Sequence, residues 1–143
     1  MSNVIETIKT RSSTRGYTAE ALTEEELNIL IHAGLKAPTA ANRQEIHFTV
    51  LQGGNPILTE LEDDKNRLRN IVSPPHNFYY EAPTVVIISA DRDYRWSALD
   101  AGIAVENMAL AAEGLGLGNL IIGCIYDAIR GEKRDYYAKA LKL

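Results

Sequence analysis

The sequence predicts an α+β chain folded as an α/β/α three-layer sandwich. Three observations predict it. Helical and strand patterns alternate along the chain. Thr84–Ser89 is an unbroken run rich in Val and Ile, the pattern of a central strand covered on both faces. Ser97 to about Gly114 is a long helical stretch with apolar residues around most of its circumference, the pattern of a buried helix.

The elements follow in order. Val4–Lys9 reads as a short helix that delivers the polar turn Arg11–Arg15. Thr23-Glu24-Glu25-Glu26 is a capping box, with Leu22 and Leu27 spaced as a hydrophobic staple. Leu27, Leu30, Ile31, Gly34 and Leu35 then recur at helical spacing and mark one buried stripe. Ala37–Gln44 is a loop that leads to a strand at Ile46–Leu51, and Gly53-Gly54-Asn55-Pro56 closes that strand. Ile57–Leu68 reads as a surface helix with Asp63, Asp64, Lys65 and Arg67 on its wet side. After a loop at 73–77, Phe78-Tyr79-Tyr80 is open between aromatics at a cleft edge and core filling. The helix from Ser97 carries small residues (Gly102, Ala104, Ala109, Ala112) that allow close backbone approach, under a sheet or against a second subunit. Gly114-Leu115-Gly116-Leu117-Gly118 ends a helix rather than opening one, which excludes a dinucleotide fingerprint and fits a C-cap and tight turn. Asn119–Ile125 reads as a second central strand. Asp127–Leu141 reads as a final amphipathic helix with Lys133, Arg134 and Lys139 outward.

A chain of 143 residues is of single-domain size. A net charge of −4, without a basic run or an aromatic platform, argues against nucleic-acid binding. One cysteine, Cys124, excludes an internal disulfide or a cysteine-based zinc cluster and reads as a small strand-core residue. His32, His47 and His76 lack ligand spacing, so no metal is expected. No apolar run reaches membrane-spanning length and the first residues are polar, so a cytoplasmic protein without membrane contact is expected.

Two loops carry chemistry. In Arg11-Ser12-Ser13-Thr14-Arg15, two guanidiniums bracket three hydroxyls, a donor set suited to phosphate. A solvated basic turn is the plain alternative. In Ala37-Pro38-Thr39-Ala40-Ala41-Asn42-Arg43-Gln44, the proline stiffens the turn while Thr39, Asn42 and Gln44 supply a hydroxyl and two amides. That set suits a flat, heteroatom-rich ligand, or is a polar connection and nothing more.

Taken together, Ile-x-x-Arg-x-Ser-x-Arg-x-Tyr at 8–17, Ala-Pro-Thr-x-x-Asn-x-Gln at 37–44 and Gly-Leu-Gly-Asn at 116–119 resemble the flavin-dependent nitroreductase family. The resemblance covers nearly the whole chain and implies a mixed, largely antiparallel sheet with helices on both faces. It implies FMN as cofactor, NADH or NADPH as reductant, and a homodimer whose active sites are built by both subunits. Arg11, Ser12, Ser13 and Arg15 would hold the FMN phosphate and ribityl chain. Pro38, Thr39, Ala40, Asn42 and Gln44 would lie along the isoalloxazine ring. Ile121, Ile122 and Gly123 would lie over one ring face, with a backbone N–H near Gly123 directed at the hydride-accepting nitrogen. The side chains of 121–123 also read as strand core, and both readings can hold. The implied reaction moves hydride from nicotinamide to FMN and on to a nitroaromatic, quinone or similar electron-poor acceptor. It needs no acid–base side chain, so no catalytic residue is named. Dehalogenation or dehydrogenation on the same fold, and a vestigial flavin-binding protein without turnover, are the alternatives. Ser12, Thr39 and Glu45 stand where the family more often has a basic residue, serine and proline. Residues 1–143 read as one FMN-binding domain without the family's C-terminal strand, which brings a further cation to the phosphate and reaches the partner subunit. Weaker FMN retention and a looser dimer are expected of it.

Overall fold

The computed structural model describes residues 4–143. Its elements are α1 (Val4–Thr10), α2 (Glu24–Leu35), a 3-10 turn at Ala40–Asn42, β1 (His47–Gln52), α3 (Pro56–Arg69), β2 (Thr84–Ser89), α4 (Ser97–Gly114), α5 (Tyr126–Arg130) and α6 (Arg134–Leu141). The α+β class holds. Two compact units divide the residues. The first comprises the chain to Arg15, Leu22–Phe48 and Ile88–Ile121, and the second Gly16–Ala21, Thr49–Ile87 and Ile122–Leu143.

In the first unit, α2 starts at the capping box. Thr23 Oγ1 accepts from the Glu26 N–H at 3.2 Å while the Thr23 N–H donates to Glu26 Oε2 at 2.8 Å. Two otherwise orphaned donors of the first turn are satisfied this way. Leu30 and Gly34 form the buried stripe, while Leu35 is exposed. Gly34 is required by close approach: a Cβ there would sit 2.7 Å from the Phe48 ring and 3.0 Å from Met108 Sδ. Helix α4 packs against α2 and α1. Its buried face is Ser97, Asp100, Ala104, Met108, Ala109 and Ala112, mostly at i, i+4 spacing. The helix is not buried all round as its composition predicts. Leu99 is 57% exposed, because the elements of this unit cover one face only. A Schellman motif ends α4: Gly116 adopts φ +76, its N–H reaches Glu113 O at 3.0 Å, and the Leu117 N–H reaches Ala112 O at 2.9 Å.

In the second unit, Leu51, Ile57, Leu58, Leu61, Phe78, Tyr79, Ile87, Ala128, Tyr137 and Leu141 form one buried cluster. Phe78 and Tyr79 therefore fill core, and Tyr80 stacks on His76 with ring centroids 3.9 Å apart. Asn55 caps α3 through Oδ1, and Pro56 occupies its first turn. The wet face predicted for α3 is wrong for two of its residues, because Asp64 and Lys65 are buried. Their partners lie partly on α3 itself and partly on distant segments. Glu62 accepts from Lys65 Nζ (2.9 Å), Asn66 Nδ2 (2.8 Å) and the Phe78 N–H (2.7 Å). Asp64 accepts from the Tyr137 hydroxyl (2.5 Å), Lys133 Nζ (2.9 Å) and Arg67 Nη2 (3.3 Å). A buried charge persists where it is paired and hydrogen-bonded; the i,i+3 pairs are local, but the contacts from Phe78, Lys133 and Tyr137 are not.

The sheet of the described residues pairs β1 with β2. The Gly53 N–H donates to Pro83 O at 2.8 Å, so the end of β1 meets the start of β2 and the pair is antiparallel. Of β2 only Ile87 is buried, short of the full cover predicted for a central strand. Two further corrections concern the C-terminal third. Asn119–Ile125 is not a strand: Asn119 makes one parallel bridge to Ser13, and residues 120–123 run without a ladder partner. Apolar alternation readies a chain for a sheet, but a strand exists only where a neighbour pairs with it. The single helix predicted over 127–141 is two, broken at Gly131, whose extended backbone (φ −79, ψ −151) caps α5.

Candidate functional site

Both donor loops belong to the first unit, and each is fastened to α4 or to the turn that follows it. The basic turn leaves α1 with the Arg11 N–H still bonded to Thr7 O at 3.0 Å. The Thr14 N–H donates to Asn119 O at 2.9 Å, and the Asn119 amide donates to Ala109 O on α4 at 3.3 Å. Gly118 permits this docking, since a Cβ there would lie 2.9 Å from the Thr14 methyl. Arg11 is half-buried, and Ser12, Ser13 and Arg15 are exposed. Among the described residues, neither guanidinium has an ion-pair partner, whereas Arg43, Arg67, Arg69 and Arg92 each have one. Two unpaired arginines beside two exposed hydroxyls form an anion-binding donor set.

The amide loop is held at the first turn of α4. Ala37 is buried, and Pro38 is exposed at the loop's start. Three non-glycine residues take left-handed backbone: Ala41 (φ 54), Asn42 (φ 53) and Gln44 (φ 53). Such residues cost on the order of 1–3 kcal/mol each and persist only where their surroundings over-determine them. The surroundings do so here. Thr39 Oγ1 accepts from the Gln44 N–H at 2.9 Å, and Thr39 O accepts from the Asn42 N–H at 2.9 Å. The Ala40 N–H donates to buried Asp100 Oδ2 at 2.9 Å, and Ala40 O accepts from the Tyr94 hydroxyl at 3.1 Å. Arg43 pairs with Asp91 at 3.2 Å and lies 4.1 Å over the Tyr94 ring. Asp91 is itself anchored, its carbonyl accepting from Ser97 Oγ at 2.6 Å. The side-chain amides of Asn42 and Gln44 are exposed and make no hydrogen bond among the described residues. Glu45 is turned the other way, with both carboxyl oxygens buried and without a hydrogen-bond partner among the described residues.

Asp100 lies in the first turn of α4, and the basic turn reaches the same helix through Asn119 at Ala109. At a rise of 1.5 Å per residue, those two anchor points are roughly 13 Å apart along the axis. The structure thus brings Thr39, Ala40, Asn42 and Gln44 together, and Arg11, Ser12, Ser13 and Arg15 together. Within one chain it does not bring the two groups to each other. Ile121 belongs to the first unit and is exposed; Ile122 and Gly123 belong to the second. Ile122 packs on that unit's core. None of the three lies in a strand, so the strand-core reading of 121–123 fails while the backbone of Gly123 stays exposed. Cys124, half-buried, packs against the same core. Among the described residues no group of His, Cys, Asp and Glu could hold a metal ion, and no helix is long and apolar enough to cross a membrane.

The sequence profile of the nitroreductase family matches residues 8–143. The chain belongs to that family. Its fold is shared with an FMN-bound nitroreductase of Bacteroides fragilis, at TM-score 0.88 and 31% identity, covering 100% of this chain and 81% of that one. An FMN-dependent nitroreductase of Clostridium difficile aligns at TM-score 0.80 and 32% identity, over 97% and 70% of the two chains. In sequence, an FMN reductase of Bacillus subtilis that uses NAD(P)H is 29% identical over 94% of this chain. The chain spans 58% of that relative's length.

Sequence reasoning missed Asp100, Tyr94 and Asn119, the residues that hold the loops in place. Asp100 left a trace. It is an acid on the stripe of α4 that otherwise carries small and apolar residues, four positions before Ala104, and it is 2% exposed.

Proposed function

We propose that this nitroreductase-family chain is one FMN-binding domain that works as a homodimeric, NAD(P)H-dependent oxidoreductase acting on nitroaromatics, quinones or similar electron-poor acceptors. The observation that carries the reading is the placement of two outward donor sets at separate points along α4, one anchored at Asp100 and the other at Ala109. One is cationic and the other amide-rich, and their anchors are roughly 13 Å apart along the helix axis. Two antiparallel copies would bring the cationic turn of one to the amide loop of the other. The donor chemistry fits FMN. Arg11 and Arg15, with Ser12 and Ser13, would neutralise and hold the phosphate, whose charge is about −1.5 to −2 near neutral pH. Pro38, Thr39, Ala40, Asn42 and Gln44 would orient the ring edge, and the backbone of Ile121, Ile122 and Gly123 would approach a ring face.

Bound FMN supplies the hydride chemistry, accepting from a nicotinamide and yielding to the acceptor. The protein's share is positioning. The left-handed backbone at Ala41, Asn42 and Gln44 is held by the loop's own bonds, so little backbone freedom is lost when the amides it carries meet a ligand. No ionising side chain among these residues is asked to move a proton. A cytoplasmic place of action suits a nicotinamide reductant.

The purified protein reconstituted with FMN should bleach near 450 nm on adding NADH or NADPH and recover with a nitrofuran or a quinone. Arg11→Ala should weaken FMN binding roughly tenfold or more, the loss of a charge-assisted bond, with riboflavin binding unchanged. A spectrum without flavin after reconstitution, or Arg11→Ala binding FMN as the parent does, would sink the proposal.

A further inference from the structure

We propose that Asp100 and Tyr94 are positioning residues for the cofactor's ring: they clamp the two successive peptides that flank the Ala40 Cα and thereby set the backbone that presents Asn42 and Gln44. The inference rests on the flavin reading and adds to it a specific support that neither touches the ligand nor shares its donor set.

The geometry singles out one residue. The Ala40 N–H goes to Asp100 Oδ2 at 2.9 Å, and the Ala40 carbonyl takes the Tyr94 hydroxyl at 3.1 Å. Ala40 immediately precedes Ala41, the residue whose φ turns positive first. Alanine has no side chain to justify that conformation locally, so the constraint has to arrive from outside the loop. Asp100 is 2% exposed, and its carboxyl is spent on a backbone N–H sixty residues away in sequence. An acid placed on the packed face of a helix, otherwise lined by Ala104, Met108 and Ala112, destabilises packing unless its bond is needed. Tyr94 is fixed in turn by Arg43 over its ring, and Arg43 by Asp91. A closed circuit therefore runs from loop to α4 and back to the loop, while the amides of Asn42 and Gln44 are left outward. Loosening the clamp lets the left-handed residues relax, and the ring-facing donors lose their fixed spacing.

The experiment compares Asp100→Leu, Asp100→Asn and Tyr94→Phe with the parent protein and with Arg11→Ala. Dissociation constants are read for both FMN and riboflavin by flavin fluorescence. Asp100→Leu should weaken FMN and riboflavin by the same factor, roughly tenfold, since the clamp acts at the ring end. Asp100→Asn keeps an acceptor for the Ala40 N–H and should restore binding to within roughly threefold of the parent. Tyr94→Phe, which deletes one oxygen and tests the clamp without disturbing the buried helix face, should weaken both flavins alike. Hydrogen exchange at the amides of Ala40 and Gln44 should accelerate in Asp100→Leu and Tyr94→Phe and not in Arg11→Ala. Parent-like binding of both flavins by Asp100→Leu and Tyr94→Phe overturns the inference, as does a loss confined to FMN. Failure of the parent to bind either flavin removes the flavin reading itself, and this clamp with it.

Discussion

The two units bury their apolar residues in different ways. The second closes a core of its own around Leu58, Leu61, Tyr137 and Leu141, each at 0% exposure, and fastens it with the buried acids Glu62 and Asp64. The first gathers Ala37, Ile46 and Ala104, with half-buried Phe48, Ile88, Ala90, Ala101 and Ile103 against them. It leaves Val4, Ile8, Leu35 and Leu99 at the surface, as the second leaves Leu68, Ile71 and Val72. Both donor loops are on the first unit. The difference lies in the cores: large side chains build the second, while Ala37, Ala104, Ala109 and Ala112 make up much of the first. Exposed apolar side chains rimmed by polar ones are what a subunit contact requires, and the proposed flavin site requires a second copy.

If that contrast is sound, the severest damage follows substitution in the second unit. Tyr137→Ala removes a fully buried ring and the hydroxyl that bonds Asp64, and should cost about 3–5 kcal/mol of unfolding free energy in urea titrations. A loss below about 1 kcal/mol would mean the core is not closed as described. The Asp64 carboxyl comes next. Burial pushes its pKa up, but bonds from Tyr137, Lys133 and Arg67 outweigh that and hold it below the ordinary carboxylate range. A carboxyl depressed in the folded state contributes stability above its unfolded pKa, about 3.9, and loses it as pH falls through the lower folded value. Acid destabilisation should therefore steepen below about pH 4 in the parent and flatten in Asp64→Asn, read by melting temperature against pH. Burial, and then the bond to the negatively charged Asp64, raise the Tyr137 hydroxyl well above an ordinary phenol, so no alkaline transition from this residue should occur below about pH 10.

In the first unit, Thr23→Ala breaks the capping box and should cost about 1 kcal/mol, visible as a lower urea midpoint with an unchanged slope. Leu99→Asp should have the smallest effect on folding, within about 0.5 kcal/mol, because the side chain faces solvent in the single chain. Its consequence should be on association: sedimentation velocity should show the substituted protein shifted toward monomer, with FMN retention falling in step. A Leu99→Asp protein that sediments like the parent would place the subunit contact elsewhere.

How far the sequence could be read depended on how local each cause was. The ends of α4 at Ser97 and Gly114 were legible because an apolar period and a glycine-rich stop are written in consecutive residues. So was the start of α2, where Thr23 and Glu26 satisfy each other without outside help. The burial of Asp64 and Lys65 was not legible, since what covers them comes from elsewhere: Asp64 is bonded by Tyr137 and Lys133, and Glu62, the partner of Lys65, is bonded by the Phe78 N–H. Asn119–Ile125 was misread because strand-like residues were counted without the neighbour a ladder needs. The donor loops were found as donors, but Asp100 and Tyr94, which shape one of them, lie about sixty residues downstream.

By itself, then, the sequence determined which residues are chemically equipped to hold an anion and a polar ring edge, where the helices begin, and to which family the chain belongs. Those properties follow from side-chain identity and short-range spacing. Tertiary structure alone decided that the two donor sets dock at separate points along one helix, that an acid on its packed face props the amide loop, and that buried acids fasten the core of one unit. The physical reason is that hydrogen bonds and burial are set by which distant segments meet, and no window of neighbouring residues contains that information.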